Sequence, residues 1–386
     1  MQVQTEDFEA EEEKAVVLDN GTNLLKIGFS GESSGPRLVL PNIVGRPKEA
    51  GISAGMGQKS LYIGDEAQTR RGILNLSYPM ERGMITSWDD MENVWVHGLF
   101  SELGIEPENH PILLTDTALN PETNRLKMAE IMFEKFNFHS VYIATQAVLS
   151  LYGGGAHTGL VIDSGEGTTH CVPIYEGYAI SHSIERLDIG GRDVTEHLMK
   201  TLMKKQAEEG KGIKCVTSAE REIVRDIKET CGSVSLNQDN NNNSNNNVEY
   251  ELPDGQTLSI GEERFECTEV MFNPELMGID SKGIHKLVYD SIESCDLHLK
   301  KELYGNIVLS GGNTLFPNMK ERIQMELKSL VPFNQDRIHV EAPNDRKYSV
   351  WIGGSILSSL PVFRELWIDK MEFSESKGNA ILRKCF

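Results

Sequence analysis

Two aspartates that share one local pattern are the first residues of this 386-residue chain that could do chemistry. Asp19 ends the apolar run 15–18 and Asp163 ends the apolar run 160–162, and each is followed by a small polar residue and a glycine. Turns of this Asp-x-Gly type can point consecutive backbone N–H groups at an anion. Taken alone, each one is typical of an ordinary hairpin. The repeat, 144 residues apart, predicts two related halves that face one another.

Two such hairpins from opposite halves could hold one polyphosphate between them. Asp19 and Asp163 would then flank the phosphates, which suits Mg²⁺ because this ion keeps most of its waters and takes only one or two carboxylates. Further glycine pairs at 311–312 and 353–354 are typical of turns or of close strand-to-helix contacts. The sequence has no G-x-x-x-x-G-K-[ST] motif and no strand-linked G-x-G-x-x-G motif, so neither a P-loop nor a dinucleotide site is supported.

Short strands and amphipathic helices must position these turns. Apolar runs bounded by turn residues predict strands over 15–18, 24–30, 160–162, 168–175 and 307–309. One helix is predicted over 142–151, ending at three glycines that permit a hinge, and another over 218–229, after a capping-box spacing at 217–220. Strands mixed with helices in both halves favour an α/β or α+β fold.

Composition narrows the function classes. The chain has 38 Lys and Arg against 58 Asp and Glu, a net charge of −20, which disfavours a nucleic-acid partner. Its length predicts two domains. The longest apolar stretches, such as 140–152, fall short of the roughly 20 residues of a membrane span. Six scattered cysteines indicate reduced thiols, and without a secretory signal pattern we expect a cytoplasmic protein.

Two segments are poor structure formers. Residues 1–14 form an acidic tail, interpreted as a solvated extension, with a docking site for a basic partner as the alternative. Residues 237–247 are almost entirely Asn and predict a solvated loop, because they have nothing to bury.

Many segments resemble actin. They are VLDNGT (17–22), GMGQK (55–59), GDEAQ (64–68), WDDME (88–92), QAVLSLY (146–152), VPIYEGY (172–178), AEREIVRDIKE (219–229), RKYSVWIGG (346–354) and KCF (384–386). The resemblance covers nearly everything from residue 15 onward and is closer to conventional actin than to most actin-related proteins.

The resemblance implies a two-lobed α/β fold of the actin-like ATPase type, with duplicated ribonuclease H-like sheets of five strands each. ATP or ADP with Mg²⁺ or Ca²⁺ would lie in the cleft between the lobes. The implied division is an acidic tail at 1–14, subdomain 1 at 15–41, 79–153 and 349–386, subdomain 2 at 42–78, subdomain 3 at 154–189 and 280–348, and subdomain 4 at 190–279.

The resemblance also implies the roles of individual residues. Those expected at the β- and γ-phosphates are Thr22, Asn23, Leu24 and Lys26 from one side and Ser164, Gly165, Glu166, Gly167 and Thr168 from the other. Asp19 and Asp163 would hold the metal through water. Those expected near adenine and ribose are Lys228, Glu229, Gly312, Leu315, Phe316 and Lys347.

Two residues are implied in hydrolysis: Gln146 would orient the attacking water, and His170 would help carry its proton. From the residues alone, other interpretations stay open. Gln146 could cap a helix or lie as a polar residue between the lobes, His170 could be a hydrogen-bonded strand histidine, and Lys347 could be a surface charge.

Assembly is the function that the resemblance favours: a divergent actin in cytoskeletal filaments, with ATP hydrolysis coupled to self-assembly or to copolymerisation with actin. The loop 48–61 would insert between subunits, and the apolar plug 276–279 would cross between filament strands. Actin-binding proteins would dock in a groove that includes Tyr152, Ile356, Leu357 and Leu360.

Several residues depart from the actin pattern. Asn23 replaces a glycine of the phosphate loop, Glu166 replaces an aspartate, and Arg82 replaces a histidine linked to phosphate release. Other departures that touch partners are Glu49, Ala50, His157, Pro361 and an insertion at 206–214. The alternatives are therefore a non-polymerising actin-related scaffold subunit, or a small-molecule kinase of the same fold superfamily, for whose acceptor base the sequence shows no motif. A chaperone relative would need a further domain beyond Phe386.

Overall fold

The computed structural model describes residues 14–32, 34–48, 59–209, 218–236, 247–332 and 335–385. Several expectations from the sequence lie outside these residues: the acidic tail up to residue 13, most of the loop 48–61 including Glu49 and Ala50, the insertion from residue 210 onward, and the Asn run 237–246.

The strands are mostly short. In chain order they are β1 Val16–Asn20, β2 Leu24–Phe29, β3 Leu38–Pro41, β4 Val44–Pro47, β5 Tyr62–Ile63, β6 Leu74–Ser77, β7 Met80–Glu81, β8 Met84–Ile85, β9 Ile112–Asp116, β10 Ser140–Thr145, β11 Gly159–Ser164, β12 Thr169–Tyr175, β13 Tyr178–Ala179, β14 Glu185–Leu187, β15 Val248–Glu251, β16 Thr257–Ile260, β17 Ile307–Ser310, β18 Val340–Glu341 and β19 Ile368–Asp369.

The helices lie between and beside these strands. The α-helices are α1 Gly64–Thr69, α2 Trp88–Val96, α3 Glu122–Glu130, α4 Gln146–Gly153, α5 Gly191–Glu209, α6 Ser218–Cys231, α7 Glu263–Glu269, α8 Ile284–Glu293, α9 Leu297–Gly305, α10 Met319–Leu330, α11 Ser349–Ser359, α12 Lys370–Glu375 and α13 Asn379–Lys384. Short 3₁₀ turns occur at Arg71–Ile73, Pro107–Asn109, Ser181–Ser183, Pro274–Met277, Gly312–Thr314, Gln335–Arg337 and Pro361–Leu366, and α2 and α3 continue as π-helix over His97–Glu102 and Ile131–Lys135. Among the described helices, none is both long and apolar enough to cross a bilayer.

Two six-stranded mixed sheets form the frame. The first has the order β19-β10-β9-β1-β2-β3, and the second has the order β13-β12-β11-β17-β18, with β14 also paired to β12. The α/β fold is thereby confirmed, whereas the expectation of five strands in each sheet was wrong. The additions are short edge strands: β19 pairs with the start of β10, and β14 pairs with Thr169–Cys171 at the start of β12.

The two hairpins that carry the aspartates have the same register. Asp19 on β1 lies opposite Lys26 on β2, and Asp163 on β11 lies opposite His170 on β12. Each aspartate strand also pairs in parallel with a second strand, β1 with β9 and β11 with β17. The repeated Asp-x-Gly pattern therefore reflects a duplicated structural unit, as the sequence predicts.

Each half of the fold has its own core. The first core packs the large buried side chains Trp95, Phe133, Phe138 and Trp351 around the first sheet. The second core contains buried residues of β11, α5, α6, α8, β17 and α10. A third, smaller cluster joins α4 to the second sheet: it contains Val148 of α4 together with Val161 of β11 and Val308 of β17. We use "first half" and "second half" for the parts that contribute to the first and second cores.

Helices α4 and α11 cross where the chain passes between the halves, and they meet through glycines. A Cβ on Gly353 would lie 1.7 Å from the carbonyl oxygen of Leu149, and one on Gly153 would lie 2.8 Å from the carbonyl oxygen of Ser349. The crossing therefore brings backbone against backbone, which only glycine permits. Of the two interpretations of 353–354, the turn was wrong, because both glycines lie inside α11. The close strand-to-helix contact fits Gly354, where a Cβ would lie 2.9 Å from Cγ1 of Val17 on β1.

The predicted helix over 142–151 was right only in its second part. Residues 142–145 belong to β10, which pairs in parallel with β9 in the interior of the first sheet, and the helix begins at Gln146. A fully buried strand and a buried helix both read as continuous apolar sequence, so periodicity cannot separate them. The helix predicted over 218–229 is confirmed and extends to Cys231.

The glycine contact between α4 and α11 leads to a prediction about Gly353→Ala. We expect a loss of about 3 kcal/mol in stability, because the new methyl group would overlap a backbone carbonyl that cannot move independently. Helix propensity alone predicts the opposite sign, a gain of about 1 kcal/mol. The midpoint of urea unfolding decides between them. Gly72→Ala is the control, because a Cβ there would meet nothing within 4 Å, and a Gly353→Ala midpoint at or above that of the unchanged chain would contradict the packing account.

Candidate functional site

A cavity of about 460 Å³ lies where the two aspartate hairpins face one another. It is lined by both halves of the fold. The residues that line it are Asp19, Asn20, Gly21, Thr22, Asn23, Leu24, Lys26, Gly83, Thr117, Gln146, Asp163, Gly165, Glu166, Gly167, Thr168, His170, Gly191, Arg225, Lys228, Glu229, Gly311, Gly312, Asn313, Leu315, Phe316, Pro317, Lys347 and Val350.

The structure brings together nearly all the residues that the sequence singled out. Of those expected at the phosphates, the metal, the nucleoside and the attacking water, every one lines this cavity except Ser164. The Ser164 side chain is fully buried, and its hydroxyl is bonded to Thr169 Oγ1 at 2.6 Å and accepts from Asn313 Nδ2 at 2.9 Å. The Ser164 side chain therefore points away from the cavity and stabilises the hairpin through these buried hydrogen bonds.

Asp19 is held by three polar side chains. Lys26, its cross-strand neighbour, donates to Asp19 Oδ2 at 2.5 Å, while Thr115 donates to Asp19 Oδ1 at 2.7 Å and Gln146 donates to the same oxygen at 3.2 Å. Asp19 is 1% exposed, so its charge must be balanced by such partners. Both carboxylate oxygens thus have protein partners, and the Lys26 ammonium is fixed at the cavity wall.

Gln146 is anchored by its amide nitrogen to the turn that follows Asp19. Its Nε2 donates to the carbonyl oxygen of Asn20 at 3.0 Å as well as to Asp19. Although Gln146 is the first residue of α4, these bonds go to β1, so the helix-capping interpretation does not describe its side chain. The amide oxygen Oε1 takes part in none of these bonds, which leaves it able to accept a hydrogen bond from a water in the cavity.

Asp163 has a different environment from Asp19. Burial, together with the charge of Asp19, raises the pKa of Asp163, and a hydrogen bond from Ser310 Oγ at 3.0 Å only partly opposes this. Ser310 in turn bonds to Ser349 at 3.2 Å, and Ser349 bonds to Ser150 at 2.9 Å. A chain of buried hydroxyl groups therefore runs from Asp163 to the crossing of α4 and α11. The net negative charge of the two aspartates favours a cation in the cavity.

His170 is a buried imidazole on the cavity wall. It is 3% exposed, and its Nε2 has no hydrogen-bond partner in the structure. Burial, aided by the charge of Arg186, lowers the pKa of His170 to about 4, so the ring is neutral at neutral pH. The interpretation of His170 as a hydrogen-bonded strand histidine therefore finds no support at Nε2. An unpartnered buried nitrogen facing a cavity is a place for a ligand or a water.

Asn313 is a site residue that the sequence analysis missed. Its Nδ2 bonds to Ser164 and Met271, but its buried Oδ1 has no partner in the structure. The sequence signal was available, since Asn313 directly follows the glycine pair 311–312. A Cβ on Gly311 would lie 2.2 Å from the carbonyl oxygen of Ser164, so this turn lies directly against the second aspartate hairpin.

The part of the cavity that α6 lines carries a buried lysine. Lys228 is 4% exposed and donates to the carbonyl oxygen of Gly191 at 3.0 Å. Its charge opposes the effect of burial on Glu166, but burial dominates and raises the pKa of Glu166. Lys347 also lines the cavity, with its ammonium 5.6 Å from the centre of the Tyr348 ring, but it is an exposed residue, so the interpretation as a surface charge stays open.

Two departures from the actin pattern lie at this site. Asn23, which replaces a glycine, is not among the residues with positive φ, so its backbone does not need the conformational freedom of glycine. Asn23 and Glu166 both line the main cavity and also a small adjoining pocket of about 50 Å³.

The surfaces expected to meet partners are partly exposed. Ile356 and Leu360, at the end of α11, are 39% and 40% exposed, whereas Leu357 and Tyr152 pack partly against the cores. In the segment 276–279, Leu276 is 50% exposed, but Met277 and Ile279 pack against the second core.

The described residues contain no group of three or more His, Cys, Asp or Glu side chains arranged to hold a metal ion directly. Asp19 and Asp163 are a pair without a third ligand. They suit an ion that keeps its own waters better than one that needs a protein cage.

Comparison with known families shows which family the chain resembles over its length. A family model described as Actin matches residues 10–386, nearly the whole chain.

The environment of His170 leads to a prediction about pH. Because its folded pKa lies near 4 and the ordinary value is about 6.5, the unfolded chain binds a proton between these pH values that the folded chain does not. This residue therefore lowers the free energy of unfolding as the pH falls from 6.5 towards 4. We expect the ring resonances of His170, assigned by their loss in His170→Asn, to show the neutral form at pH 5.5. A titration midpoint near 6.5 would contradict this environment.

Proposed function

The chain belongs to the actin family, and we propose that it binds ATP or ADP with a divalent cation in the cavity between its two halves and assembles into cytoskeletal filaments. The observation that carries the binding proposal is the pair of aspartate hairpins in identical register on opposite walls of one cavity. Its volume of about 460 Å³ lies in the range of small-molecule sites. The unpartnered buried atoms His170 Nε2 and Asn313 Oδ1 further support a ligand there.

In this proposal the phosphates lie between the turns 21–24 and 165–168, with backbone N–H groups and the Lys26 ammonium as donors. Lys26 suits this role because Asp19 holds its ammonium at the wall. The adenine and ribose lie towards Lys228, Glu229, Gly312, Leu315, Phe316 and Lys347. Mg²⁺ or Ca²⁺ would be held through water by Asp163 and Asp19, and it would neutralise charge on the phosphates.

Hydrolysis in this proposal depends on positioning. Gln146 offers Oε1 to a water, while its Nε2 keeps the amide fixed against Asn20 and Asp19. The neutral His170 offers Nε2 as an acceptor for a proton of that water or of a water beside it. Neither residue forms a covalent bond, so the acceleration would come from orientation and from charge stabilisation at the phosphates.

Assembly is proposed on the family and on the exposed apolar surfaces. Leu276 and the end of α11 around Ile356 and Leu360 are exposed apolar residues of the kind that mark contacts when they cluster. Copolymerisation with actin and binding of actin-binding proteins at the groove with Tyr152 and Leu357 belong to the same proposal, as does a cytoplasmic, cytoskeletal location. The alternative is a non-polymerising scaffold subunit of a larger complex.

We also propose the four-part division of the chain given above. The separate cores support it: the first core contains 16–18, 112–114 and 350–352, while a small cluster of Ile43, Tyr62, Ala67 and Leu74 lies within the proposed subdomain 2.

The role of Gln146 is tested by Gln146→Ala. We expect the rate of phosphate release from bound ATP to fall by about 100-fold, because an unoriented water attacks rarely, while the affinity for ATP changes less than about threefold. Gln324→Ala is the matched control, since the Gln324 amide donates to the Ile338 carbonyl away from the cavity. Equal hydrolysis by Gln146→Ala and the unchanged chain would remove Gln146 from the mechanism.

Assembly is tested by sedimentation of the purified chain in Mg²⁺, salt and ATP, alone and with conventional actin. We expect it to pellet under both conditions, and Leu276→Asp to reduce pelleting because it puts a charge on an exposed apolar side chain. Met371→Asp is the control, because Met371 is also exposed, at 68%, and lies outside the proposed contacts. A supernatant that keeps the protein in both mixtures while ATP is bound would favour the scaffold alternative.

A further inference from the structure

Arg82 occupies a tight turn beside the cavity, which its neighbour Gly83 lines. The two-residue strands β7 and β8 pair Glu81 with Met84, and the turn between them consists of Arg82 and Gly83. Both have positive φ, +50° and +80°, as a type I′ hairpin turn requires. Asparagine or glycine is the usual choice at the first of these positions. An arginine in this strained backbone needs side-chain contacts that hold it there.

The Arg82 guanidinium makes four such contacts, all with the second half of the fold. Nη1 donates to Asp193 Oδ2 at 2.6 Å and Nη2 to Asp193 Oδ1 at 2.9 Å, which makes the ion pair bidentate. Nη1 also donates to the carbonyl oxygens of Gly167 at 2.9 Å and Asp188 at 2.8 Å. Arg82 is not one of the residues that line the cavity, so its charge is committed to these partners and not to the cavity itself.

The turn belongs to the first half and its partners to the second. Met80 and Ile85, on either side of the turn, are buried in the first core. Asp193 lies in the first turn of α5, whose Val194, Leu198 and Leu202 are buried in the second core. The Arg82–Asp193 pair therefore spans the cleft.

The same turn contacts both turns that are proposed to hold the phosphates, residues 21–24 (the first loop) and residues 165–168 (the second loop). Gly83 N donates to Thr22 Oγ1 at 3.1 Å, and Thr22 belongs to the first loop. Gly167, whose carbonyl accepts from Arg82, belongs to the second loop, and a Cβ on it would lie 3.0 Å from both Arg82 Cα and Thr22 Oγ1. The first loop, the second loop and the Arg82–Gly83 turn meet at one point.

Asp193 is a fixed partner. Its side chain is only 7% exposed, and its Oδ2 also accepts from the backbone N–H of Gly190 at 2.8 Å. Separating the halves here would leave a nearly buried carboxylate without its cation, which is costly. A bidentate arginine pair is also geometrically demanding, so it opposes sliding as well as separation.

We propose that Arg82 is a positioning residue that latches the two phosphate-side loops together, so that its pair with Asp193 must break before a bound nucleotide leaves. The inference rests on the proposed nucleotide site and adds to it a residue that sets the rate of nucleotide exchange. The latch acts through loops 21–24 and 165–168 and does not require contact between Arg82 and the nucleotide.

The test measures release of a fluorescent etheno-ATP from the full-length chain in Mg²⁺, chased with excess ATP. The principal variant is Arg82→Asn, because asparagine tolerates the left-handed turn and removes only the guanidinium. We expect its release rate to rise by about tenfold, with a smaller change in the association rate. Arg82→Lys keeps the charge but not the bidentate geometry, and we expect an intermediate rate.

Two further variants separate the latch from a general effect on stability. Asp193→Asn should also speed release, and the double variant Arg82→Asn with Asp193→Asn should be no faster than the faster single variant, because both remove the same pair. Arg37→Ala is the control, since Arg37 pairs with Glu32 within the first half, and it should leave the release rate unchanged. A release rate for Arg82→Asn equal to that of the unchanged chain overturns the latch while leaving the nucleotide site intact.

A second readout does not depend on nucleotide. Hydrogen exchange of the backbone amides over 165–168 in the nucleotide-free chain should be faster in Arg82→Asn than in Arg37→Ala. Equal exchange in the two variants would overturn the latch. Absence of etheno-ATP binding by the unchanged chain would refute the proposed nucleotide site instead.

Discussion

The fold depends on keeping two carboxylates on opposite walls of one cavity. Asp19 and Asp163 occupy the same register position in two hairpins of the same design, and the charge of one raises the pKa of the other. Two partly buried like charges repel, so each needs compensation from its own surroundings. Asp19 pairs directly with the Lys26 ammonium, whereas Asp163 accepts a hydrogen bond from the neutral Ser310 hydroxyl and feels the Lys26 charge without a direct bond. The imbalance leaves the cavity suited to a ligand that arrives with its own cation.

The two halves that carry these hairpins are joined by two different kinds of contact. Helices α4 and α11 cross with backbone against backbone at Gly353, an arrangement that fixes distance through close packing. Arg82 and Asp193 form a bidentate ion pair between a turn of the first half and a helix of the second half. The Arg82 side chain is 39% exposed and the Asp193 side chain 7%, so breaking the pair leaves a nearly buried carboxylate without its cation. The halves are therefore held together by close packing at one place and by charge at another.

A large part of this arrangement could be predicted from the sequence. The aspartate hairpins were visible because each aspartate ends an apolar run and is followed two residues later by a glycine, and the resemblance to actin named 18 of the 28 residues that line the cavity. The start of helix α4 at Gln146, four residues after the predicted start at 142, could not be seen in the sequence. The buried strand β10 and the helix are both apolar and adjoin without a break. For the glycines of α11, a turn and a close contact were both compatible with the sequence. The packing of Gly353 against α4 and of Gly354 against Val17 on β1 decides between them, and neither contact is visible in the local sequence. The role of Asn313 depends on its bond to Ser164, 149 residues away, and the role of Arg82 depends on its pair with Asp193, 111 residues away. No local sequence pattern encodes contacts over such distances.

The central claim is that this cavity binds an adenine nucleotide together with a divalent cation. Titration calorimetry of the purified full-length chain with ATP in the presence of Mg²⁺ tests it most directly, with Asp163→Asn as the comparison. The account predicts binding with one nucleotide per chain, and affinity lowered at least about tenfold in Asp163→Asn because one of the two carboxylates for the ion is lost. An absence of binding heat over a range of temperatures, or equal Mg²⁺-dependent affinity in the two proteins, would contradict it.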